Sequence, residues 1–192
     1  MQEFKDFIYT RPNFDKVKED FTKELDTIIN SNNVEEVKKA IKNIYEIEGH
    51  FVTMQTLAEV RHTIDTTDEF YSKEQEFFDE NGAYFSELVD MFSDALLKSN
   101  FQEELKAEYG EQLFKMLKVS KESFSPEIIP ELQEEAKLVT SYGKLRASAQ
   151  INFDGKVLNL AQMGVYAESL DRNVRRDAET AIWKFWEEVF VV

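Results

Sequence analysis

Only six glycines and three prolines interrupt the 192 residues, and that scarcity constrains the fold more than any other feature. Sandwiches and barrels need turn residues about every 8–12 positions. Long helices are therefore the expected elements, and the apolar residues fall at helical spacing. Asn13 is an N-cap candidate after Pro12, and Phe14, Val17, Phe21, Leu25 and Ile28 follow at steps of three and four. Ser31, Asn32 and Asn33 stop this helix, and Asn33 with Glu36 three residues later has the form of a capping box for the next one. The second stripe comprises Val34, Val37, Ile41, Ile44, Phe51, Met54, Leu57, Val60 or Arg61, and Ile64, and it reaches the Thr66-Thr67-Asp68 cluster without a proline. A third helix is expected from residue 67 or 68 to about residue 97, with Tyr71, Phe78, Phe85, Leu88, Phe92 and Leu96 inward. Gly82 sits in its middle and costs about 1 kcal/mol against alanine.

Ser99-Asn100 opens a short helix that Gly110 closes, and Leu113, Phe114 and Leu117 mark another amphipathic piece. Ser125-Pro126 opens a helix with Leu132, Leu138 and Leu145 along it, because serine caps and proline suits the first helical position. The period then changes. Ile151-Asn152-Phe153 and Lys156-Val157-Leu158 alternate around Asp154-Gly155, a pair that supplies the positive φ angles of a two-residue hairpin turn. A short helix over about residues 160–167 follows, and Asp171 caps a last one through Val174, Ala178, Ile182 and Phe185. The fold class is all-α: long antiparallel amphipathic helices with one short β-hairpin near residues 151–159. The chain closes on Val189-Phe190-Val191-Val192, apolar and uncapped, which reads as a truncation because a complete domain usually finishes in polar residues.

Composition narrows the function classes. With 38 Asp and Glu against 23 Lys and Arg the formal charge is −15, so the surface is unsuited to neutralising phosphates and nucleic acid is not an expected partner. Without cysteine there is no disulfide framework, thiolate zinc site or Cys-x-x-Cys redox motif. Apolar runs are too short to span a bilayer, and the first ten residues are too polar and acidic for a signal peptide. No membrane partner and a cytoplasmic location are the expectations.

Candidate chemistry is sparse. His50 and His62 lie on one predicted helix, and at about 100° per residue they are rotated about 120° apart, so they do not face a common metal. Glu59-Val60-Arg61-His62 has the Glu-x-x-His spacing of helical di-metal sites, but the second such motif those sites need is missing. His62 is therefore read as a solvated or core histidine, and His50 with Glu46 one turn earlier as a surface pair. Carboxylate pairs such as Glu103-Glu104, Glu134-Glu135 and Glu187-Glu188 are too abundant to signal acid–base catalysis. Phe77-Phe78, Tyr84-Phe85 and Trp183 with Trp186 have the spacing of core residues, with a peptide groove as the other reading. Arg172, Arg175 and Arg176 fall in the first turns of the last helix, against its dipole, so carboxylates such as Glu168, Asp171, Asp177 or Glu179 are expected to partner them. No catalytic, cofactor-binding or metal-binding residue is assigned.

Several segments carry a family resemblance. They are Lys144-Leu-Arg-Ala-Ser-Ala-Gln-Ile-Asn-Phe-Asp-Gly-Lys-Val-Leu-Asn-Leu-Ala-Gln-Met-Gly-Val-Tyr, Ser169-Leu-Asp-Arg-Asn-Val-Arg-Arg-Asp-Ala and Trp183-Lys-Phe-Trp-Glu-Glu. Tyr9-Thr-Arg-Pro, Phe70-Tyr-Ser-Lys-Glu-Gln-Glu-Phe-Phe-Asp-Glu and Glu131-Leu-Gln-Glu-Glu agree with them. In order and spacing the chain resembles the oligoendopeptidase F-type metallopeptidases, relatives of thimet oligopeptidase. The resemblance implies a mostly helical parent that hydrolyses short peptides in a deep channel and holds zinc on a His-Glu-x-x-His helix with a downstream Glu. This sequence contains no His-Glu pair. It resembles the N-terminal helical part, with residues 1–124 as an N-terminal helical region and residues 125–192 as the truncated start of the peptidase-domain region. Such a fragment is expected to be inactive alone, to lack a cofactor of its own, to need the missing C-terminal catalytic region, and to be prone to homo-oligomerise. The alternative reading is a free-standing acidic helical protein-binding module without catalysis.

Overall fold

Helix α1 spans Phe14–Asn30 in the computed structural model, which describes residues 3–123 and 125–190. Asn13 caps it by accepting the Lys16 amide. Helix α2 (Val34–Ile64) runs for 31 residues, roughly 45 Å, and α3 (Glu69–Lys98) returns after Asp68 caps it by accepting the amides of Phe70 and Tyr71. Gly82 does not break α3, where the helix is continuous. Helices α4 (Gln102–Tyr109) and α5 (Glu111–Ser123) follow, then α6 (Ile129–Ala147), strands β1 (Ile151–Phe153) and β2 (Lys156–Leu158), α7 (Leu160–Ala167) and α8 (Arg172–Phe190). The all-α class with one two-stranded hairpin is thus the observed architecture. Among the described residues no helix is long and apolar enough to cross a membrane. Of the positions singled out in the sequence, Val191 and Val192 of the apolar ending, residue 124 at the expected regional boundary and the first two residues lie outside the described ones.

The chain divides into two compact units, Met1–Lys137 and Leu138–Val192. In the first, α1, α2 and α3 pack on one another and α5 packs on α3. Phe21, Ile41, Ile44, Phe51 and Leu96, all on stripes read from spacing, are fully buried there, and so is Leu105 of α4. Asp94 on α3 receives both Lys98 and Lys121, which ties α5 to α3. Between α4 and α5, Gly110 adopts φ 88° and ψ 150°, a region that residues bearing a Cβ almost never occupy. Gly110→Ala is expected to cost about 2 kcal/mol, read as a lower urea midpoint of the first unit. An unchanged midpoint would mean that the backbone there relaxes freely.

In the second unit, β1 and β2 pair antiparallel with Ile151 opposite Leu158 and Phe153 opposite Lys156. Asp154 and Gly155, at φ 51° and 71°, form the turn, as the Asp-Gly pair implied. Asn159 and Gln162 close a capping box at the start of α7. Ile151, Leu158, Met163 and Ala178 form the buried cluster.

Three local expectations are corrected. Asn33 accepts the Glu35 amide, but Glu36 does not close a box; its carboxylate takes the Ser31 hydroxyl at 2.7 Å. The tight α1–α2 connection puts that hydroxyl nearer than the Asn33 amide, which itself donates to Ser31 Oγ. Ser125 caps as expected, but a single 3-10 turn, Pro126–Ile128, precedes α6. Pro130 has no amide proton and its ring would strike the carbonyl four residues back, so the α-helix opens only where Pro130 falls in its first turn. Ile64, read on the apolar stripe of α2, is 76% exposed. Periodicity tells which residues share a face, not whether anything covers it.

Candidate functional site

Helix α3 carries a carboxylate where its stripe calls for an apolar side chain. Glu74 lies three residues after Tyr71 and four before Phe78, on the inward face, and is 3% exposed. A buried carboxylate is costly unless it is paired and hydrogen-bonded. The segment preceding α1 supplies both. Arg11 donates from Nε to Glu74 Oε2 at 2.8 Å and from Nη2 to Oε1 at 2.5 Å, a two-pronged guanidinium–carboxylate pair. The Tyr9 hydroxyl donates to Oε2 as well. Arg11 also lies over the Phe77 ring, 5.1 Å from its centroid. Tyr9 meets Phe70 and Tyr71 edge-on at 6.1 and 6.0 Å. Pro12, buried beside them, stiffens the chain between Arg11 and the cap of α1.

The same segment is gripped a second time. Arg61 near the end of α2 donates to the Phe7 carbonyl at 2.5 Å and to the Tyr71 hydroxyl at 2.8 Å, and its guanidinium lies over the Phe4 ring. The residues ahead of α1 are thus strapped across the α2–α3 end by two arginines. Burial pushes the Glu74 carboxyl up, but hydrogen bonds from Arg11 and Tyr9 and the Arg11 charge outweigh it and hold the group below the usual carboxylate range. Burial, and then the Glu74 hydrogen bond and charge, push the Tyr9 phenol well above its ordinary value. Guanidinium and phenol together engage both carboxylate oxygens, so the cluster acts as an anchor.

The residues singled out in the sequence are scattered. His62 is buried at 6% exposure, whereas Glu59 is exposed, so the Glu-x-x-His spacing does not assemble a shared site. His50 and Glu46 are exposed and line an open pocket of about 490 Å³ between α1 and α2 with Asn13, Lys16 and Asp20. Among the described residues no group of three or more His, Asp or Glu side chains is arranged to hold a metal ion. Phe78 and Phe85 are core, Trp183 is 62% exposed, and Trp186 stacks on Tyr142 at 6.2 Å. Arg176 pairs with Asp177 as expected, but Arg175 donates to the backbone carbonyls of Ser169 and Leu170 instead of to a carboxylate. In a pocket lined by Glu48, Phe51, Val52, Gly82 and Phe85, burial raises the Glu48 carboxyl.

The Tyr9–Arg11–Glu74 anchor was not read from sequence. Its signal was present: an acidic residue inside an apolar stripe demands a cation from elsewhere in the chain. Two segments quoted for the family resemblance, one around Tyr9 and one around Phe70, meet at this anchor.

Residues 4–124 match the Peptidase M3 N-terminal domain family. Three solved structures are similar over nearly the whole chain. Pz peptidase A, solved with an inhibitor, is 40% identical at a TM-score of 0.92, over 97% of this chain and 33% of that one. A protein described as oligoendopeptidase F is 38% identical at a TM-score of 0.93, over 98% of this chain and 33% of its own. Another so described, from Bacillus anthracis str. Ames, is 40% identical at 0.92, over 98% and 35% respectively. The chain therefore spans about a third of the solved structures it matches. None of the curated proteins compared with it matches.

Proposed function

Since the chain belongs to the Peptidase M3 N-terminal domain family, we propose that it is the N-terminal helical part of a zinc-dependent oligoendopeptidase and forms one wall of the channel that admits short peptides. The observation that carries this reading is likeness to solved peptidases along the chain's whole course, at 38–40% identity, in place of a single short motif. Residues 1–124 are the N-terminal helical region and residues 125–192 the start of the peptidase-domain region. A wall built from long, densely packed helices narrows the entrance to unfolded oligopeptides and turns folded proteins away. The cysteine-free composition supports a cytoplasmic parent.

Zinc does not fit the residues present in this chain. His62 is buried, His50 is exposed, and no carboxylates join either of them in a ligand set among the described residues. In this reading the metal belongs to the C-terminal region of the parent, and no step of the reaction runs through the residues here. The chain alone is accordingly silent. Incubated with a quenched-fluorescence oligopeptide and added zinc, it is expected to release no more fluorophore than a blank. Chelator-sensitive hydrolysis by the purified chain would overturn the proposal.

A further inference from the structure

The two units differ sharply in how much core they possess. In the first, nineteen side chains among the described residues form one buried apolar cluster. In the second, the buried cluster among the described residues has four members, one of them an alanine, and six more apolar side chains, Phe185 and Ile182 of α8 among them, are partly buried against it. Four buried side chains with six partly buried ones around them are a small core for some fifty residues, because ordering each residue costs about 1–2 kcal/mol. Meanwhile large apolar side chains of this unit face solvent: Leu138 and Val139 at 64% exposure, Tyr142 at 46%, Val165 at 75%, Leu170 at 100% and Trp183 at 62%.

These exposures are not scattered singly. Leu138, Val139 and Tyr142 share one face of α6 at one-turn spacing. The Tyr142 ring stacks on Trp186 of α8, with planes inclined by 22°, and Trp183 precedes Trp186 by one turn on the same helix. The apolar faces of two helices therefore join at an aromatic stack, a patch larger than isolated surface residues produce. Something apolar must cover it. The chain spans 33–35% of each solved structure it matches, so in the reading above about two thirds of the parent lies beyond it.

We propose that this α6–α8 face of the second unit is the seat on which the C-terminal remainder of the same polypeptide docks, and that the second unit becomes stably folded only when that remainder covers it. The first unit, with its own core, folds without it. The inference rests on the N-terminal-fragment reading and adds to it a surface and an order of folding.

Amide hydrogen exchange tests it, comparing the 192-residue chain with the whole polypeptide translated from the same reading frame. Core amides of α2 and α3 are expected to exchange slowly in both. Amides of residues 138–190 are expected to exchange about 100-fold faster in the 192-residue chain. In the whole polypeptide, Leu138→Lys and Trp183→Lys are each expected to speed exchange across residues 138–190 while leaving α2 unchanged. Equal protection of residues 138–190 in the monomeric 192-residue chain would overturn the proposal. So would protection that rises with protein concentration, which makes a second copy the occupant, or a reading frame with nothing beyond Val192. Failure of the peptidase reading has a separate signature, a whole polypeptide that protects residues 138–190 yet hydrolyses no peptide.

Discussion

Phe51→Ala is expected to lower the stability of the first unit by about 4 kcal/mol. Phe51 is fully buried on α2, and its ring stacks on Phe85 of α3 with centroids 4.2 Å apart and planes inclined by 14°. Phe78 meets it edge-on at 5.4 Å, and Phe14 of α1 lies 5.9 Å away. The ring thus joins all three long helices. Truncation removes its transfer free energy and leaves a cavity walled by large rings on separate helices, which cannot close in together. Urea unfolding followed by near-ultraviolet circular dichroism measures the loss. Met116→Ala, at a side chain 60% exposed on α5, is the control and should stay within about 0.5 kcal/mol of the parent. A Phe51→Ala loss as small as the control's would mean that the aromatic cluster is not the keystone of the helical core.

The second large effect lies at the anchor, and it is asymmetric. Arg11 is 48% exposed whereas Glu74 is 4% exposed at the side chain. Arg11→Ala leaves a carboxylate in the interior with Tyr9 as its remaining anchor partner, and is expected to cost about 3 kcal/mol. Glu74→Gln leaves a guanidinium that water reaches, so its cost should be nearer about 1–2 kcal/mol. Equal losses for the two variants would contradict the burial argument. The pH dependence follows from linkage. Because the folded Glu74 carboxyl is held below its ordinary value, its contribution is fully present above the unfolded-state value of about 4.3. That contribution is lost as pH falls through the lower folded-state value. The stability gap between the parent chain and Glu74→Gln should therefore shrink on acidification from about pH 5. At the alkaline end the Tyr9 phenol, pushed upward in the folded state, keeps its contribution below the ordinary tyrosine value of about 10. It loses that contribution only as pH rises through the higher folded value.

The helices were legible because their signals are local. Asn13, Asp68 and Gly110 mark helix ends through bonds or torsions that involve residues within a turn of them, and the Asp154-Gly155 turn is equally self-contained. What escaped depends on residues far apart in the chain. Glu74 finds Arg11 across 63 positions, and nothing within a helical window names that partner. Arg175 was expected to find a carboxylate, but the carbonyls of Ser169 and Leu170, left open at the bend before α8, lie closer. Glu36 likewise chose a hydroxyl across the α1–α2 connection over the local box. The apolar stripe of α2 was visible in the spacing of Leu57 and Ile64, yet Leu57 is buried and Ile64 exposed according to what packs there, and periodicity is blind to that. For function, the family resemblance carried what residue chemistry could not, since the two histidines and the many carboxylates form no readable site.

Reading the coding frame beyond the codon for Val192 tests the N-terminal-fragment reading most directly. The expected result is an open frame that continues through a His-Glu-x-x-His segment with a further Glu downstream, to a total length near three times the present 192 residues, as the 33–35% coverage of the matched structures implies. A stop codon immediately after Val192, or a long continuation without that segment, would contradict it.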